Sequence, residues 1–135
     1  MNILNSDIYN QPCPCGSEEN YGNCCFPLHN HDMTALTAET LMRSRFVAYH
    51  FELKDYLLET WDSETRPETI DFTPGLKWTS LNINGKKKGR KKDQEGWVTF
   101  VASYLLNGHS ESMQEKSYFK KNTAGEWRYV DGEIK

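Results

Sequence analysis

The 135 residues, 37% of them hydrophobic and 13% aromatic, suffice for one buried core, and a mean hydropathy of −0.77 describes a soluble chain. No apolar run approaches the ~18 residues that cross a bilayer, and Met1–Asn10 has neither the basic cluster nor the apolar stretch of a secretory leader, so a cytoplasmic protein is expected. The net charge of −3 hides an uneven distribution: six of the 16 basic residues fall in positions 86–92, against 19 acidic residues overall, which excludes a general nucleic-acid surface.

All four cysteines lie before residue 26, in Cys13-Pro-Cys15-Gly-Ser-Glu-Glu-Asn-Tyr-Gly-Asn-Cys24-Cys25. This stretch has almost no aliphatic residues in which to bury free thiols, and a cytoplasmic compartment disfavours disulfides. A C-x-C pair and a C-C pair eight residues apart offer the four thiolates of a closed tetrahedral zinc site, one ion per chain. Pro14 stiffens the first pair, and Gly16 permits the tight turn expected to aim backbone N–H groups at a sulfur. His29 and His31 are competing donors, but four cysteines already complete the shell. Residues 11–26 are therefore expected to form a zinc module. Residues 27–35, with Pro27, Asn30 and Asp32, read as a linker, and 36–135 as the main domain.

From Leu36 the pattern turns helical. Thr37 is the expected N-cap, Leu36 and Leu41 have hydrophobic-staple spacing, and Glu39 lies in the first turn. This helix should reach about His50, and a second should cover Lys54 to Trp61, with Tyr56, Leu57, Thr60 and Trp61 on one side. After a loop holding Pro67, Pro74 and Gly75, the period becomes two. Strands are expected over Leu76–Ile83, Trp97–Leu106, Glu111–Lys121 and Glu126–Val130, joined at Asn84-Gly85, Asn107-Gly108 and Ala124-Gly125. Helices followed by an antiparallel meander make an α+β domain, its helices packed on one face of the sheet.

Cys-Pro-Cys-Gly-Ser, Tyr21 and Cys24-Cys25 together resemble the SEC-C motif, a small zinc-binding element, and the resemblance implies Cys13, Cys15, Cys24 and Cys25 as ligands. Leu41-Met42-Arg43-Ser44-Arg45-Phe46, Asp55-Tyr56-Leu57, Thr60-Trp61, Glu115-x-Ser117-x-Phe119 and Trp127-x-Tyr129-x-Asp131-Gly132 are similar to the YchJ-like proteins. Those couple a SEC-C element to a domain like nuclear transport factor 2 (NTF2), a cone of helices over a curved antiparallel sheet. The resemblance implies that fold and names no activity.

On a helical wheel Leu41, Met42, Phe46, Ala48 and Tyr49 share a face with Arg45 near its centre, while Arg43 and His50 point away. Strand alternation sends Val98, Phe100, Ala102, Tyr104 and Leu106 toward the helices, together with Met113, Glu115, Ser117 and Phe119 and with Trp127, Tyr129 and Asp131. A buried arginine needs a partner, so Arg45 is expected to pair with Glu115 first and Asp131 second. Arg45, Tyr49, Glu115, Ser117, Tyr129 and Asp131 are the candidate pocket residues. Lys86, Lys87, Lys88, Arg90, Lys91 and Lys92 are expected on a mobile hairpin tip, a contact surface for a protein partner and the one place where nucleic acid could bind. The best-supported role is a non-enzymatic adaptor, the open sheet face being suited to a second copy. The alternative is small-molecule binding, or lyase- or isomerase-like catalysis, in the cone.

Overall fold

The computed structural model describes residues 6–135. A 3-10 turn, Ser6–Asn10, leads into the cysteine segment, which contains a second such turn at Tyr21–Asn23. Next come the short helix α1 (Phe26–His29), the long helix α2 (Ala38–Phe51) and α3 (Lys54–Glu59). Four strands complete the chain: β1 (Leu76–Lys88), β2 (Glu95–Leu106), β3 (His109–Lys121) and β4 (Trp127–Ile134). They pair antiparallel in sequence order, so the α+β architecture expected from the sequence is the one observed. Among the described residues no helix is long and apolar enough to cross a membrane.

Thr37 caps α2 as expected, its Oγ1 accepting from the Thr40 N–H at 3.1 Å. The staple is not formed: Leu41 is buried, but Leu36 is 52% exposed and contributes only its carbonyl, to Trp127 Nε1. Helix α2 ends at Glu52, which adopts a left-handed conformation while Leu53 N–H reaches Ala48 O. Leu41, Met42, Phe46 and Val47 of α2 pack against Val98, Phe100 and Ala102 of β2 and Phe119 of β3, and these form the core between helix and sheet.

Three bulges shape the sheet. Thr79 and Asn84 are extra residues on β1, and Val130 is extra on β4. Asn84-Gly85, expected as a hairpin turn, is therefore a bulge, because β1 continues through it to Lys88. The turn falls at residues 89–94, with Gly89 N–H bonded to Glu95 O. Asn107 and Gly108 do make the expected tight turn, both with positive φ. Residues 60–62 run parallel to β4, with Tyr129 N–H on Thr60 O and Asp62 N–H on Tyr129 O. This strap brings Thr60 and Trp61 over the end of the cone.

The segment read as a linker holds α1, whose Leu28 is buried beside Ala48, Tyr56 and Leu57. The cysteine segment likewise has no core separate from the rest. Cys13, Cys15, Tyr21 and Cys25 belong to the same buried cluster as α2 and the sheet, with the Tyr21 ring edge-on to Phe51.

Candidate functional site

Two limbs bring the cysteines together. Cys13 N–H bonds Glu19 O at 2.8 Å and Tyr21 N–H bonds Gln11 O at 2.9 Å, so the first limb folds back beside the second. All four sulfurs lie within 4.8 Å of one another, with Cys15–Cys24 at 3.6 Å and Cys24–Cys25 at 4.0 Å. A tetrahedral ion with metal–sulfur bonds of about 2.3 Å needs sulfurs about 3.8 Å apart, whereas a disulfide needs about 2.05 Å. The donor set and its spacing fit a metal ion, which Cys13, Cys15, Cys24 and Cys25 could hold.

Hydrogen bonding within the cluster, first from Cys13, draws Cys15 toward the thiolate and Cys24 down to about 7. Contact with Cys15 pushes Cys13 up, and contact with Cys13 does the same to Cys25. The sulfurs compete for protons, as expected of thiols packed this tightly.

The surroundings hold the sulfurs in place. Ser17 Oγ lies 3.0 Å from Cys24 Sγ and can donate to it. Gly16 takes the positive φ of 81° that the expected turn requires, and its own N–H goes to Cys13 O. Arg43, placed on the outer helix face, was missed as a support. Its Nη1 donates to Cys15 O at 2.7 Å and its Nε to Glu39 at 2.9 Å. Burial opposes its charge, yet Glu39 and Cys15 outweigh that and raise its pKa. The i, i+4 spacing of Glu39 and Arg43 was the available signal.

Neither histidine joins the cluster. His29 Nε2 donates to Ser44 O, which leaves Nδ1 to accept from the Tyr21 hydroxyl, each at 2.8 Å. His31 sits outside against Glu59.

The second polar centre is a cavity of about 220 Å³ inside the cone, lined by Arg45, Tyr49, Glu115, Ser117 and Tyr129 among the expected pocket residues. Phe46, Trp78, Phe100 and Met113 supply apolar walls. Asp131 does not belong. The Val130 bulge shifts the alternation by one, so Asp131 pairs with Tyr118 and is exposed, whereas Tyr129 pairs with inward Phe119.

The expected Arg45 ion pair is also absent: among the described residues Arg45 meets no carboxylate within salt-bridge distance, and residues 1–5 contain no acid. Arg45, only 3% exposed as a residue, donates through Nη1 to Leu57 O at 2.8 Å and Thr60 Oγ1 at 2.7 Å. Trp61 and Tyr129 flank it, with ring centroids 4.9 and 4.6 Å from Cζ. Burial lowers its pKa to about 10, which leaves it cationic at neutral pH. Glu115 accepts instead from Ser117 Oγ at 2.6 Å.

The basic run is not confined to a hairpin tip: Lys86, Lys87 and Lys88 end β1, and all six basic side chains are exposed. Lys86 reaches Glu39 at 2.8 Å, and Lys87 lies over Trp97. Buried Gly89 accepts from the Ala38 N–H, and Arg90 pairs with Asp93. Thus Lys86, Glu39, Arg43 and Cys15 O form one chain of contacts from the basic corner to the cysteine cluster.

Comparison with known proteins agrees with this architecture. A family model for the YchJ middle NTF2-like domain matches residues 37–132, and one for the SEC-C motif matches residues 10–27. UPF0225 proteins of Streptomyces coelicolor and Chromobacterium violaceum are each 43% identical, over 91% of this chain and 95% of the first and over 89% and 90% for the second. The solution structure of a SEC-C motif containing protein from Rhodopseudomonas palustris superposes with a TM-score of 0.80 at 33% identity, over 91% of this chain and 98% of that one. A SEC-C motif containing protein from Psychrobacter arcticus, at 22% identity and a TM-score of 0.76 over 95% and 85% of the two chains, shares the fold. The chain therefore belongs to the YchJ-like UPF0225 family, in which a SEC-C motif precedes an NTF2-like domain.

Proposed function

We propose that this chain is a cytoplasmic zinc protein that works by binding a protein partner and has no catalytic step of its own. The observation that carries this reading is the closed four-sulfur cluster joined to an ordered basic corner. Four thiolates suit zinc, a borderline-soft ion that takes tetrahedral sulfur shells. A zinc ion ringed by four thiolates keeps no open position for an activated water, so its task is to hold the fold. Arg43, whose Nη1 reaches Cys15 O, stands beside a centre whose formal charge with Zn²⁺ is −2, and this complementarity supports the same assignment. The contact surface is the ridge of Lys86, Lys88, Arg90, Lys91 and Lys92, fixed in place on an otherwise acidic body and suited to an acidic protein surface.

Protein purified without chelator is expected to carry one zinc per chain. Retention of an acidic partner should weaken with salt and with charge reversal at Lys88, Arg90 and Lys92, at unchanged melting temperature. Metal-free, folded protein would overturn the zinc assignment, and retention indifferent to both salt and charge reversal would overturn the contact surface.

A second reading, a small molecule held in the cone, is favoured by one observation. The cavity is lined by a buried arginine and by a carboxylate that form no ion pair among the described residues.

A further inference from the structure

Within the cone, two opposite charges line one cavity of about 220 Å³ without meeting. Arg45 is 3% exposed, its Nη1 donates to Leu57 O and Thr60 Oγ1, and Tyr49 interacts with the guanidinium as well. Those acceptors are neutral, so the charge is oriented but not neutralised. Buried charges are ordinarily matched by an opposite charge, because an unmatched ion loses hydration without compensation.

Glu115, which is only half-buried, carries the opposite charge. Fully buried Ser117 donates to its Oε2 at 2.6 Å, which fixes the carboxylate without balancing its charge. Gly132 on β4 leaves the space: a Cβ there would collide with the Glu115 carboxylate. The carboxylate thus occupies a position prepared by two neighbours. The remaining wall is aromatic and thioether, from Phe46, Trp78, Phe100 and Met113.

On the reading that the cone holds a small molecule, we infer that its ligand is a small zwitterion of the amino-acid type with an apolar, preferably aromatic, side chain. The carboxylate of such a ligand answers Arg45, its ammonium group answers Glu115, and its side chain occupies the aromatic wall. A singly charged ligand would leave one protein charge unmatched and add repulsion from the like charge. The volume, below the ~300 Å³ at which drug-sized sites begin, restricts the ligand to about a dozen non-hydrogen atoms.

The probes are L-phenylalanine, phenethylamine and 3-phenylpropanoate, titrated calorimetrically into the full-length metal-loaded protein. L-phenylalanine is expected to bind at least tenfold more tightly than either singly charged analogue. Glu115→Gln should weaken L-phenylalanine about tenfold and abolish its advantage over 3-phenylpropanoate. Gly132→Ala, which displaces the same carboxylate from outside the cavity, should do likewise with the melting temperature nearly unchanged. If one singly charged analogue binds as well as L-phenylalanine, the zwitterion class is wrong while the cone remains a binding site. If none of the three binds to folded protein, the reading of the cone as a site for such molecules fails as well.

Discussion

The cysteine knuckle and the cone cavity are both polar centres set into one apolar core, and they satisfy their charges in opposite ways. In the knuckle each donor converges on a single point, and Arg43, Ser17 and the Cys13–Glu19 bond close the surroundings. In the cone the two charges stand apart, each held by neutral groups, with space between them. The first arrangement suits a permanent occupant that contributes folding energy, and the second an exchangeable one. The same core thus supports two polar centres of different kind, and what separates them is where each counter-charge would come from.

The sharpest way to break this comparison is to ask whether Arg45 and Glu115 are energetically paired after all. Arg45→Met removes two charged hydrogen bonds and two ring contacts, with an expected loss of about 3–4 kcal/mol. In a chain of this size that lowers the melting temperature by on the order of 10 °C. Combining it with Glu115→Gln should rescue little, the coupling staying within about 0.5 kcal/mol, because the two side chains are not bonded. A coupling of several kcal/mol in thermal or urea unfolding would mean that the cone is closed by an ion pair.

A smaller effect tests the corner that joins the knuckle to the sheet. Gly89→Ala places a methyl group at φ 81°, 2.8 Å from Ala38 Cβ, and is expected to destabilise by about 2–3 kcal/mol. Replacing all six basic residues of the run by Gln should change stability by no more than about 1 kcal/mol, since exposed ion pairs contribute little. The reverse order in urea unfolding would show that charge, not backbone packing, fixes this corner.

The smallest expected effect is a pH dependence. His50 Nδ1 donates to Trp78 O, and burial, reinforced by Lys77, holds its pKa below the ordinary value. The unfolded chain therefore binds this proton more readily than the folded one. The stability contributed is complete above about pH 6.5 and is lost as pH falls toward the folded pKa. His50→Gln should flatten unfolding free energy against pH below about 6.5, and an unchanged slope would remove His50 from the explanation.

Much of this was readable before the fold. The cysteine spacing names its cluster outright, because four thiolates in two short limbs leave one arrangement that serves them all. The inward parity of β2 and β3 is equally plain, since Val98, Phe100 and Ala102 alternate with less buried residues. What failed were single-residue slips. An extra Val130 turns Asp131 outward, and an extra Asn84 carries β1 past a dipeptide that ordinarily ends a strand. Bulges have no composition signature, and each one inverts every assignment beyond it. The partners of Arg45 were hidden for another reason: Leu57 O is a backbone group, and any residue there would offer the same carbonyl. Gly89 gave no signal of its own in the sequence, yet its missing side chain is what lets the turn pack on Ala38.

The central claim is that the cysteine knuckle is welded to the cone and does not hang from it as a separate module. Hydrogen exchange before and after metal chelation tests this most directly, read at the amides of α2 and at Leu81 and Val98. Tyr21 against Phe51, Arg43 on Cys15 O and Gly16 beside Leu81 require that protection falls throughout α2 and β1 when the cluster is emptied, together with a large drop in melting temperature. Protection lost only across residues 11–34, with α2 and the sheet unchanged, would contradict the weld.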